Sequence, residues 1–144
     1  MKTLKILLAL SCVICFTACE KIGSAPSSVA GKTMKIDNTS SGTLTIRFSS
    51  NTSASISNNN GEKSFKSIQY KKTGATTASI TIKDMYVQFN WKSGTGVAYD
   101  TEYISLVFNS STQGVSSGYW ERRNVSGETG SSSGDIDASQ FTLF

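Results

Sequence analysis

Two pairs of carboxylates stand at the every-second-residue spacing that puts both members on one face of a strand: Asp100-Thr101-Glu102 and Asp135-Ile136-Asp137. Paired carboxylates can work as acid and base in hydrolysis, or hold calcium. Neither pair is joined by a further ligand cluster at a recognisable spacing, so both are expected to be solvated. Histidine is absent, which removes the commonest general base and metal ligand. Lysine can activate a serine. Yet Ser64-Phe65-Lys66 and the stretch from Ser28 to Lys32 match no known nucleophile arrangement, and no Gly-x-Ser-x-Gly occurs. The three cysteines, Cys12, Cys15 and Cys19, all lie in the first 19 residues. The expectation is therefore a protein without catalysis, metal or cofactor.

Binding chemistry is better represented. Tyr119, Trp120, Arg122 and Arg123 combine the residue types enriched at binding hot spots, and they are the candidate binding surface. Alternation puts Trp120 and Arg122 on one face and Tyr119 and Arg123 on the other. Phe89 and Trp91, in phase with Val87, are candidates for the wall of a cavity.

The elements that must position these groups read as strands. Val, Ile, Phe, Tyr and Thr recur in short alternating runs, as on pleated, half-buried surfaces. Strands are expected from Gly31 to Asp37, Thr43 to Ser50, around Ala54 and Ile56, Ser64 to Lys72, Val97 to Asn109, Val115 to Val125 and Ile136 to Phe144. Between Thr77 and Trp91 the apolar phase changes at Lys83-Asp84, and one long bulged strand is preferred there over two. Phe65 is out of phase with Ile68 and Tyr70, which predicts a bulge or a strand covered on both faces. Turns are expected at 38–42, 58–61, 73–74, 93–96 and 110–114, and a long polar loop from Ser126 to Gly134. About eight strands joined by hairpins argue an all-β, antiparallel up-and-down meander closing into a small barrel, the last strand pairing with the first. A β-sandwich is the alternative.

The chain begins with Met1-Lys2-Thr3-Leu4-Lys5 and an apolar run from Ile6 to Thr17, then Ala18 and Cys19. That is the layout of a secretory signal, and the run is short of the roughly 20 residues needed to span a bilayer. Residues 1–18 are read as signal peptide, 19–29 as lipidated N-terminus and flexible tether, and 30–144 as the β-barrel domain. Removing the leader removes Lys2 and Lys5, leaving 12 basic residues against the 10 acidic ones. The charges are scattered, without the basic stripe of a nucleic-acid binder, and nucleic acid is not an expected partner.

Phe16-Thr17-Ala18-Cys19 resembles the bacterial lipobox, with Phe16 where that family usually has Leu. The resemblance implies an acylated Cys19, and Glu20 in place of the usual retention aspartate implies sorting to the outer membrane. The body is similar to the small lipocalin-like or calycin-like β-barrel lipoproteins of bacteria. The likeness rests on Val29-Ala30-Gly31-Lys32-Thr33, the run from Tyr70 to Ile80, Ile104-Ser105-Leu106-Val107-Phe108, Gly114 and Phe141-Thr142-Leu143. It implies the fold and no ligand site, because no tryptophan stands near the first strand, where lipocalins have Gly-x-Trp. The expected role is a non-catalytic binding module, membrane-attached through its lipid, for a small apolar ligand or a protein partner. The alternative is an inhibitor or immunity-type lipoprotein that blocks an enzyme at the cell surface.

Overall fold

The computed structural model describes residues 23–37, 42–91, 94–124 and 131–144. Among the described residues nine strands follow one another: β1 (Thr33–Ile36), β2 (Leu44–Ser50), β3 (Ser53–Asn58), β4 (Gly61–Lys63), β5 (Ser67–Lys72), β6 (Thr77–Trp91), β7 (Gly94–Phe108), β8 (Gln113–Asn124) and β9 (Ser131–Leu143). They form one antiparallel sheet in the order β4-β3-β2-β1-β9-β8-β7-β6-β5, curled into a half-barrel. Every neighbour is consecutive in sequence except β1 and β9. Those two pair through Met34↔Leu143 and Ile36↔Phe141, so the chain ends do meet as expected. With all strands in one sheet, the sandwich alternative is set aside.

The two edges of the sheet, β4 and β5, are also consecutive in the chain. At Ser64–Lys66 the backbone leaves β3 and turns to β6: the Tyr86 N–H donates to Ser64 O at 2.8 Å, and the Lys66 N–H to Lys83 O at 2.9 Å. Phe65 sits in that break, half-buried against the core, which accounts for its phase. Across the gap the Tyr70 N–H donates to Asn51 O at 2.7 Å, drawing β5 toward the turn between β2 and β3. The curling thus covers sheet edges that a flat meander would leave exposed.

The phase change in β6 is a bulge. Its pairing with β7 slips between Ile82 and Met85, and Asp84 takes a positive φ of 52°, a region aspartate tolerates better than most residues. The slip turns Met85 inward like Ile80 and Ile82, all three being buried. One long bulged strand is therefore the correct reading.

Other boundaries differ from expectation. Gly61–Lys63 is a strand, because the turn ends at Asn60 and the three residues pair with Ile56–Asn58. Gly94–Gly96, expected as turn, pairs with Phe89–Trp91. Ser131–Gly134, expected within a long loop, pairs with Trp120–Arg123. Polar composition does not prevent pairing where the adjacent strand is long enough to supply the ladder.

The interior at one end is filled by apolar side chains. Phe108 and Phe141 meet edge to face at 4.9 Å, and Phe48 meets Tyr70 at 6.3 Å. Gly114 is required here, since a Cβ at that position would strike the backbone oxygen of Val107 and lie 2.7 Å from the Phe141 ring.

The same end is crossed by residues 23–29, and this corrects the expected tether. Val29 is 0% exposed and Ala25 1%. The Ala25 N–H donates to Ala75 O at 2.9 Å, and a Cβ on Gly23 would collide with the backbone of Asn109 and Ser110. The Asn51 side chain accepts from the Val29 N–H at 2.9 Å and donates to Ser27 O at 3.1 Å. The Tyr70 hydroxyl donates to Pro26 O at 2.8 Å. Apolar Ala25 and Val29 bury themselves because the barrel end would otherwise expose its core. Residues 23–29 form a docked strap; Cys19 to Ile22 lie outside the described residues.

Burial raises the Tyr70 phenol to about 12, so it stays a donor at any physiological pH. Tyr70→Phe should lower stability by about 1–2 kcal/mol by stranding the Pro26 carbonyl. Urea unfolding, together with faster proteolysis near Ser27, checks this; unchanged unfolding and cleavage would show that the strap is held by packing alone.

Candidate functional site

At the end opposite the strap the barrel is not filled. A cavity of about 180 Å³ opens there, lined by Ile36, Leu44, Asn58, Lys63, Met85, Glu102, Ile104, Ser116, Trp120 and the segment Asp135–Asp137. Strands from both halves of the sheet contribute to it, which a curled meander allows and a flat sheet would not.

Strand register explains each position. On β7 the buried Ile104, Leu106 and Phe108 face inward. Two and four residues before Ile104, on the same face, come Glu102 and Asp100. On β8 their cross-strand partners are Trp120 and Arg122. Asp100 and Glu102 are therefore inside, not solvated as expected: Asp100 is only 6% exposed. Its burial is made tolerable by Arg122, whose Nε and Nη2 groups donate to the two carboxylate oxygens at 2.8 Å each. Directly opposed residues on antiparallel strands are near enough for such a fork. The hydrogen bond to Asp100 holds the Arg122 pKa above its ordinary value. The guanidinium also lies 4.8 Å from the centroid of the Trp120 ring, and Gly134 fits close against that indole, where a Cβ would come within 2.8 Å. Trp120 is thus held in place at the mouth.

Glu102 has no such fork. Among the described residues no hydrogen bond or ion pair to its carboxyl is formed. Burial, then the nearby Asp100 charge, push its pKa up to about 7, with Lys63 pulling the other way. The titration of Glu102 is therefore moved from the acidic range toward neutrality. Lys63 reaches the cavity because β4 pairs Lys63 with the inward-facing Ile56. Ser116 is satisfied, its hydroxyl donating to Ser139 O at 3.1 Å. Asp135 and Asp137 are exposed at the rim, as expected for that pair.

The four residues expected to form one binding surface are divided by the sheet. Trp120 and Arg122 point into the barrel mouth, while Tyr119 and Arg123 point outward, as alternation requires. Tyr119 stacks on Tyr103 at 4.6 Å. Arg123 lies 5.6 Å from the Tyr99 ring and 3.3 Å from Asp84. Arg123, Tyr99 and Asp84 border a shallow groove with Phe65, Lys66 and Tyr86. Phe89 and Trp91 are on β6, but their side chains lie outside the described residues, as does Cys19.

Set beside known proteins, the chain matches no family model, no curated protein and no solved structure. The chemistry of the site must be read from its own residues. Among the described residues no three acidic, cysteine or histidine side chains converge as a metal ion would need. What the mouth offers is a largely apolar wall that includes the Trp120 ring, with the Glu102 carboxyl and the Lys63 ammonium on it and Asp135 and Asp137 at its rim. The sequence pairs Asp100 with Glu102 but does not place them inside, although a signal for burial is present, since both share the parity of Ile104, Leu106 and Phe108. Lys63 carried no such signal, because its face depends on a three-residue strand set by pairing with β3.

Proposed function

We propose that this chain is a lipid-anchored, non-catalytic binding module that receives a small ligand in the mouth of its barrel. The observation that supports this best is the cavity at the mouth, with apolar walls and the carboxyl of Glu102, Lys63 and Trp120 lining it. Its size is below the roughly 300–1,000 Å³ of pockets for drug-sized ligands, so the occupant is a small molecule or the end of a larger one.

The strap gives the anchor a direction. From Cys19 to the docked Gly23 are four residue steps, about 14 Å at full extension. An acylated Cys19 therefore holds the strap end of the barrel near the membrane and leaves the mouth facing away, open to the aqueous phase. Acyl chains contribute about 0.8 kcal/mol per buried methylene, so several chains make the attachment stable. By resemblance to the lipobox, the envelope site is the outer membrane of a bacterium.

Mass spectrometry of protein purified gently from native membranes tests both parts. An acylated peptide beginning at Cys19, and a small molecule released on denaturation, are the expected results. Cys19→Ala should leave the lipid fraction and lose palmitate labelling. A variant that still labels and sorts normally would overturn the anchor; a mouth empty of any co-purified or added small molecule would overturn the ligand reading. A protein partner on the outer face is a second reading, favoured by the exposure of Tyr86 and Tyr119 there.

A further inference from the structure

We infer that the ligand of the barrel mouth carries a protonated amine, its ammonium set against Glu102 and its apolar part against Ile104, Ile136 and Trp120. The inference rests on the small-ligand reading above and names the chemical class. Among the described residues lining the cavity, the carboxylates Glu102, Asp135 and Asp137 outnumber the one cation, Lys63, while Asp100 is already neutralised by Arg122. A cation entering the mouth therefore meets a favourable field, and an anion an unfavourable one.

The second observation is the state of Glu102 itself. A carboxyl taken out of water needs hydrogen-bond donors or a counter-charge. Asp100 has both from Arg122 across the strand pair. Glu102, its neighbour on the same face, has Lys63 only at a distance beyond an ion pair, and no donor among the described residues. An ammonium supplies three N–H donors and one positive charge to that position. A purely apolar ligand would leave the carboxyl uncompensated. A divalent metal is disfavoured by the ligand count, since no three such groups converge among the described residues. Trp120 contributes an apolar wall more than a free ring face, because Arg122 and Gly134 already lie against its indole.

The test uses three probes of one chain length: hexylammonium, hexanoate and hexan-1-ol. Each is titrated at pH 8 into the mature lipoprotein in non-ionic detergent, following the indole N–H of Trp120 and the methyls of Ile104 and Ile136 by NMR. At that pH the amine is charged, as lysine would be. Hexylammonium should shift these signals saturably and the other two should not. Glu102→Gln should weaken hexylammonium about tenfold, the effect of losing one charge-assisted contact. If hexanoate or hexanol binds as well as the amine, or the Gln variant binds hexylammonium undiminished, the amine assignment is overturned while the small-ligand reading stands. If none of the three moves the mouth residues, both fail.

Discussion

Arg122→Ala should destabilise the protein by about 3 kcal/mol, because it leaves Asp100 charged, buried and without its two donors. The pair is not valuable merely because it is an ion pair. Desolvating both partners offsets much of their attraction, and replacing both by apolar residues of similar size is often neutral. The expected pattern is therefore asymmetric. The double variant Arg122→Met with Asp100→Leu should recover most of what Arg122→Ala loses. Urea unfolding of the three proteins measures this, and a double variant as unstable as the single would show that the loss came from packing on Trp120. The effect should reach the mouth as well. The guanidinium lies over the Trp120 ring at 4.8 Å, so its removal should broaden the Trp120 indole resonance.

Glu102→Gln should do the opposite, stabilising the protein above neutral pH. In the unfolded chain this carboxyl titrates near 4.5; in the folded barrel burial raises it to about 7. Between those values the folded state keeps a proton that the unfolded state has lost. Raising the pH through this window therefore favours unfolding. Glu102 causes no loss below about 4.5, an increasing loss up to about 7, and a constant one above, on the order of 3 kcal/mol at most. Glutamine cannot ionise, so the variant should lack this slope and gain stability at pH 8. Parallel stability–pH curves for the two proteins from pH 4.5 to 8 would mean that Glu102 is not held away from water. The two variants also separate the neighbouring acids: Asp100 is a structural charge with its partner built in, and Glu102 is a charge with no partner among the described residues.

Local periodicity made much of this fold legible. Alternating runs such as Leu44 to Phe48 and Ala78 to Ile82 declare strands, because one face must be apolar wherever a sheet covers a core. The bulge at Lys83-Asp84 was legible for the same reason, since a phase change within an apolar run requires an extra residue. Closure by β1 and β9 came from two apolar strands at the chain ends that each needed a partner. The likeness of Phe16-Thr17-Ala18-Cys19 to a lipobox likewise rests on the sequence alone.

The polar residues of the mouth were not settled that way. Period two says that Asp100, Glu102 and Ile104 share a face, but local sequence cannot say whether that face stays dry as far as residue 100. Arg122, brought opposite Asp100 by the pairing of β7 and β8, decided it. Lys63 entered the cavity through the register of β4 with β3, and the strap docked because the turns after β2, β5 and β7 together form a surface for Ala25 and Val29. Each of these depends on residues distant in the chain, whose proximity exists only once the sheet has curled. Strand identity was therefore determined by the sequence read locally. Which charges are buried, which of them has no partner among the described residues, and which end of the sheet the strap covers were decided by tertiary structure.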